Sequence, residues 1–156
     1  MVQAIPAGYS GVTAYLIIRN AAGALEFYAK AFGGTEVLRL PGPNGSIAHA
    51  EIRIGDGHVM LADENVAMGH RGPEALGGSP VSLMFYVDDV DARVARAVAA
   101  GATVKVPVKD QFYGDRSGSV SDPFGYVWTI ATHTEDVRPD EMAQRMAAMM
   151  SVRPDP

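Results

Sequence analysis

The chain has 156 residues, 47% hydrophobic and 20% charged, enough apolar material to build one core and too much for a disordered polymer. A net charge of −5 without a lysine or arginine cluster argues against nucleic acid and anionic membranes as partners, since both are held by basic surfaces. The absence of cysteine removes disulfides, thiolate nucleophiles and cysteine-held metals, and leaves the redox compartment open.

The first residues lack the basic-then-apolar pattern of a secretory signal, and no apolar run is long enough to span a bilayer; a cytoplasmic location is expected. Residues 12–18 are β-branched and aromatic and predict a strand. Asn20 then caps a helix carrying Leu25, Tyr28 and Phe32 at helical spacing, and Gly33-Gly34 end it. Strands follow over 35–40 and 46–54, parted by a Pro/Gly loop, and Asp56-Gly57 turns the second into a strand over 58–63. Residues 64–80, rich in glycine and proline, form a connector. A strand over 81–87 leads to Asp88 or Asp89 as the cap of a helix bearing Val90, Val94 and Val98, stopped by Gly101. A strand over 102–108 precedes a polar, aromatic stretch, 111–121, read as a loop entering a strand. Asp122-Pro123-Phe124-Gly125 fits a type I turn before the last strand, 126–132. Pro139 opens a final helix, 139–150, with Met142, Met146 and Met149 on one face.

The halves repeat. Strand, cap, helix and strand from Val12 to Val37 recur from Val81 to Val106 at an offset of 69. The stretch Gly57-His58-Val59-Met60-Leu61 matches Gly125-Tyr126-Val127-Trp128-Thr129 at an offset of 68. The expectation is one α+β domain over 1–156, made of two tandem βαβββ modules, 12–63 and 81–133. They would form a curved eight-stranded mixed sheet with helices on its outer face and a cleft inside.

Several motifs carry a resemblance: Tyr15-Leu16-Ile17, Phe27-Tyr28, Ala31-Phe32-Gly33, His49-Ala50-Glu51, Leu61-Ala62-Asp63-Glu64, Gly114-Asp115-Arg116, Asp122-Pro123-Phe124-Gly125 and residues 131–137. The chain is similar to the vicinal oxygen chelate superfamily of glyoxalases, bleomycin-resistance proteins and extradiol dioxygenases, and within it to the PhnB-like branch. The resemblance implies the paired βαβββ fold and a homodimer. It also implies four metal-ligand positions on the first and last strand of each module, which align with Thr13, Leu61, Ser82 and Thr129. None is a good ligand, so no metal or other cofactor is expected. Histidines common in that branch are replaced here by Met84 and Tyr126.

Period-two alternation puts His49, Glu51 and Arg53 on one face of a strand, opposite Ala48, Ala50, Ile52 and Ile54. His49 and Glu51 read as a general acid/base pair or half of a metal site, or as a polar stripe in which Glu51 pairs with Arg53 or a neighbour. Tyr15, Met84 and Tyr86, with Phe112 and Tyr113, would line a cleft for a flat organic ligand, or simply pack as strand aromatics do. Arg116 reads either as a clamp on an acidic ligand group or as a partner of Asp115. His58 and His70 read as surface residues, His133 as lying at the cleft mouth or capping locally, and Trp128 as core. Two functions follow: a metal-free protein that binds a small organic molecule, or a glyoxalase-like lyase or isomerase using His49 and Glu51 or an atypical metal site.

Overall fold

A computed structural model describes residues 2–9 and 11–151. The first module contains β1 (Ala14–Ile18), α1 (Ala21–Phe32), β2 (Thr35–Pro41), β3 (Ile47–Ile54) and β4 (Gly57–Asp63). The connector holds a short helix, α2 (Pro73–Leu76). The second module contains β5 (Ser82–Tyr86), α3 (Val90–Ala99), β6 (Thr103–Asp110), β7 (Asp115–Ser121) and β8 (Val127–His133), and α4 (Pro139–Ser151) follows. The caps act as the sequence predicts: the Asn20 side chain accepts from the Gly23 amide and the Asp89 side chain from the Ala92 amide.

The eight strands form two four-stranded mixed sheets, ordered β1-β4-β3-β2 and β5-β8-β7-β6. β1 runs parallel to β4 and β5 to β8, and the other pairs are antiparallel. α1 and α3 each cover one face of a sheet and also lie against each other. A single hydrophobic cluster therefore runs through both modules, with Tyr28 and Phe32 of α1 packed on Trp128 of β8 at ring distances of 5.2 and 4.9 Å. Trp128 is core, as its strand parity predicts. The opposite face of each sheet points away from this core.

One buried carboxylate ties the modules together. Asp122, at the β7–β8 turn, accepts hydrogen bonds from the Tyr28 hydroxyl (2.7 Å), the Trp128 indole N–H (3.0 Å) and the amides of Phe124 and Tyr126 (2.9 Å each). Four donors on two oxygens compensate for the lost hydration of a buried charge. Burial and the neighbouring Asp122 charge push the Tyr28 hydroxyl pKa well above its ordinary value.

The strand register corrects one alignment. Tyr15 lies opposite Met60, and Met84 opposite Thr129. The counterpart of Thr129 is thus Met60 and not Leu61, which is fully buried on the helix side. The cause is unequal turns: Ile54 pairs directly with Gly57, whereas Ser121 pairs with Val127 across a longer turn. Matching Gly57 to Gly125 slips the strand by one residue, and a one-residue slip exchanges its faces. Among the described residues no helix is long and apolar enough to cross a membrane.

Candidate functional site

The open face of the first sheet carries a linked set of polar groups. The Tyr15 hydroxyl lies 2.9 Å from Nδ1 of His49, and Nε2 of His49 lies 3.0 Å from Oε1 of Glu51. Oε2 of Glu51 accepts a hydrogen bond from the hydroxyl of Tyr9. β-strand alternation explains the set: Glu51 sits opposite Met60 and Arg53 opposite His58, all on the face that also bears Tyr15. With its proton on Nε2, His49 donates to Glu51 and accepts from Tyr15, the geometry of a histidine oriented to exchange a proton. Arg53 is exposed, and the partners of Glu51 are His49 and Tyr9, not Arg53.

The open face of the second sheet has its own cluster. Asp115 is buried and accepts from the Tyr86 hydroxyl at 2.8 Å, while its other oxygen lies 2.8 Å from Nδ1 of His133. Nε2 of His133 meets Asp136 at 3.0 Å. Hydrogen bonds to Asp115 and then Asp136 raise the His133 pKa, and the bond to Asp115 raises that of Tyr86. Gln111 donates to the Ser117 hydroxyl at 3.0 Å, and the Tyr113 hydroxyl lies 3.4 Å from it. Phe112 and Tyr113 pack edge to face, 5.2 Å apart. Their loop is fastened through Gly114, whose carbonyl accepts from the amides of Thr134 and Glu135 at 2.9 Å each. Gly114 has φ 95°, and a Cβ there would stand 2.1 Å from the Glu135 carbonyl oxygen, so only glycine permits this approach.

A cavity of about 620 Å³ opens between β1 and β5, each hydrogen-bonded on one side only. Val12, Ala14, His58, Met84, Phe85 and Tyr86 are among its lining residues, and its surface is mainly apolar.

Arg116 does not reach this region. It lies on the helix face of β7, where it makes two hydrogen bonds to Asp91 of α3 (2.7 and 2.9 Å) and one to Asp110 (2.9 Å). Both readings of Arg116, as a clamp and as a partner of Asp115, are corrected: Asp115 and Ser117 face the open side, so Arg116 faces away and Asp115 meets Tyr86 and His133 instead. His70 is exposed in the connector, and His58 accompanies Tyr9 and Gly8. Sequence reasoning missed Tyr9, which lies outside any predicted element. It also did not join Asp115 to His133, whose pairing follows once β7 is started at Asp115.

With this register applied, the ligand positions that the resemblance implies fall on Thr13, Met60, Ser82 and Thr129. Three hydroxyls and a thioether do not fit a divalent transition metal, and Thr129 is engaged with Ser119 at 2.9 Å. Among the described residues no group of three or more His, Asp or Glu side chains is arranged to hold a metal ion.

Residues 11–130 match the model of the Glyoxalase/Bleomycin resistance protein/Dioxygenase superfamily. The chain belongs to this superfamily. Within curated sequences it is similar to the uncharacterized protein Rv0887c of Mycobacterium tuberculosis, 43% identical over 137 residues, covering 86% of this chain and 81% of that protein. An uncharacterized Arabidopsis thaliana protein is 30% identical over 116 residues, 69% of each chain. Among solved structures, TioX from Micromonospora sp. ML1 superposes with a TM-score of 0.63 at 28% identity, covering 80% of this chain and 98% of TioX. The superfamily's paired-module fold accounts for the repeat, the two sheets and the exposed faces that carry the candidate clusters.

Proposed function

We propose that the protein is a metal-free, small-molecule-binding member of the superfamily, of the PhnB-like type, acting as a homodimer on a partly aromatic organic ligand. The observation that carries this reading is the content of the four ligand positions, Thr13, Met60, Ser82 and Thr129, on the open faces. They supply hydrogen-bonding hydroxyls and a soft apolar contact in place of imidazole and carboxylate. The apolar cavity beside them, with Met84 and Tyr86 in its wall, suits a flat organic molecule fixed by a few polar groups.

The dimer is supported by surface left open in one chain. Tyr15, Met84 and Tyr86 are about half exposed, as are Val37 and Leu40 on β2 and Met149 on α4. Exposed apolar area of this kind marks an interaction surface.

A second reading is a glyoxalase-like lyase or isomerase, favoured by the Tyr15–His49–Glu51 chain. The deciding experiment is elemental analysis of untagged protein after incubation with Mn, Fe, Co, Ni and Zn and desalting, followed by a thermal-shift screen of small organic compounds. Substoichiometric metal with at least one stabilising compound is expected. One metal per chain, with turnover lost in His49→Ala, would transfer the assignment to the enzyme.

A further inference from the structure

Ahead of β1, Gly8 and Tyr9 lie against the open face of the first sheet. Residues 6–9 form a turn, closed by the Tyr9 amide on the Pro6 carbonyl at 3.2 Å. From this turn the Tyr9 ring stacks on the imidazole of His58, with centroids 4.4 Å apart and planes 29° from parallel. Its hydroxyl donates to Glu51, and Nδ1 of His58 sits 3.0 Å from the Gly8 carbonyl oxygen. Gly8 has φ 88°, and a Cβ there would stand 2.6 Å from Cε1 of His58, so the close approach depends on glycine.

The contacts of Tyr9 are those a ligand would make. A flat ring lies on a ring that lines the apolar cavity, and a hydroxyl meets the carboxylate that His49 and Tyr15 orient. Stacking needs only a π face, but the hydroxyl-to-carboxylate bond selects a donor. Glu51 is largely enclosed, with 14% of its side chain exposed, so a ligand without a donor would leave one carboxylate oxygen short of a partner.

Resting on the binding reading above, we propose that residues 6–9 are a displaceable strap and that the phenol of Tyr9 occupies the subsite for a hydroxylated aromatic ligand. The ligand class is a phenol: ring on His58, hydroxyl on Glu51. The strap competes with it as a tethered copy of the same group. Such a competitor acts at an effective concentration in the roughly millimolar range. If the strap is closed about nine-tenths of the time, it weakens apparent affinity by about tenfold.

The test uses 4-methylphenol and toluene as probes, binding to the full chain measured by calorimetry. Tyr9→Ala and Gly8→Ala both release the strap, the second with Tyr9 retained. Both should bind 4-methylphenol about tenfold tighter than the unaltered protein and prefer it over toluene. Adding Glu51→Gln should remove most of that preference. In the unaltered protein, 4-methylphenol should speed hydrogen exchange at the Tyr9 amide. Equal affinity before and after strap release, no preference over toluene, or unchanged exchange with the phenol bound would each overturn the proposal. Tight binding of other organic molecules without phenol preference would overturn it and leave the binding-protein reading standing. Stoichiometric metal with turnover would remove that reading, while displacement of the strap by a phenol would still define the subsite.

Discussion

Asp122→Ala is the sharpest test of how the two modules are joined. The substitution removes the acceptor for four donors: the hydroxyl of Tyr28, the indole N–H of Trp128 and two turn amides. The two side-chain donors stay buried, since Tyr28 and Trp128 are 0% and 2% exposed. Each buried donor left without a partner costs about 1–3 kcal/mol, and of the turn amides that of Tyr126 is buried while that of Phe124 is only partly so. The expected loss is about 3–5 kcal/mol, a large part of the roughly 5–15 kcal/mol that holds a domain folded. Urea denaturation followed by the fluorescence of Trp128, the single tryptophan, reports it. At a slope of about 2 kcal/mol/M the midpoint should fall by roughly 1.5–2.5 M. Tyr28→Phe alone should cost less, about 1.5–3 kcal/mol, because only one donor to the carboxylate is lost. The double variant should show a coupling of about 1–2 kcal/mol. Protein concentration must be held constant, because dimerisation would add its own stabilisation. A loss below about 1 kcal/mol for Asp122→Ala, or independent effects of the two substitutions, would refute the account of Asp122 as a shared anchor.

The strand register predicts that Leu61→Ala costs about 2–5 kcal/mol, whereas Met60→Ala on the open face costs under about 1 kcal/mol; the reverse order in the same denaturation assay would restore the slipped alignment. His133, held between Asp115 and Asp136, should titrate above the ordinary histidine range by NMR, and its pKa should fall in Asp136→Asn. Its raised folded value means its stabilising contribution is complete below about pH 6.5 and is lost as pH rises through the folded pKa. Tyr28 likewise has a raised folded value, so stability should decline as pH climbs past about 10, where the unfolded phenol ionises and the folded one does not; Tyr28→Phe should flatten that decline. Light scattering at working concentration should give twice the chain mass, and a monomer would sink the dimer proposal.

What could be read from the sequence was local. Asn20 and Asp89 announce their helices because a cap needs only one side chain and an amide three residues on. The repeated spacing of strand, helix and strand announces the paired modules because period and order are carried along the chain. The Asp122-Pro123-Phe124-Gly125 turn, the polar stripe at His49, Glu51 and Arg53 and the buried Trp128 belong to the same class.

What only the tertiary structure decided was which groups meet across distance. Whether Met60 or Leu61 faces the open side depends on the unequal lengths of two turns, and a strand that slips by one residue exchanges its faces. Arg116 finds Asp91 on α3, and Asp115 finds His133 across a strand pair, because pleating sends neighbouring side chains to opposite sides. Tyr9 reaches Glu51 from outside any repeating element, so neither periodicity nor repeat could foretell it. Sequence order thus determined the modules and their caps, while the packing of α1 on α3 and the sheet registers decided which faces remained uncovered.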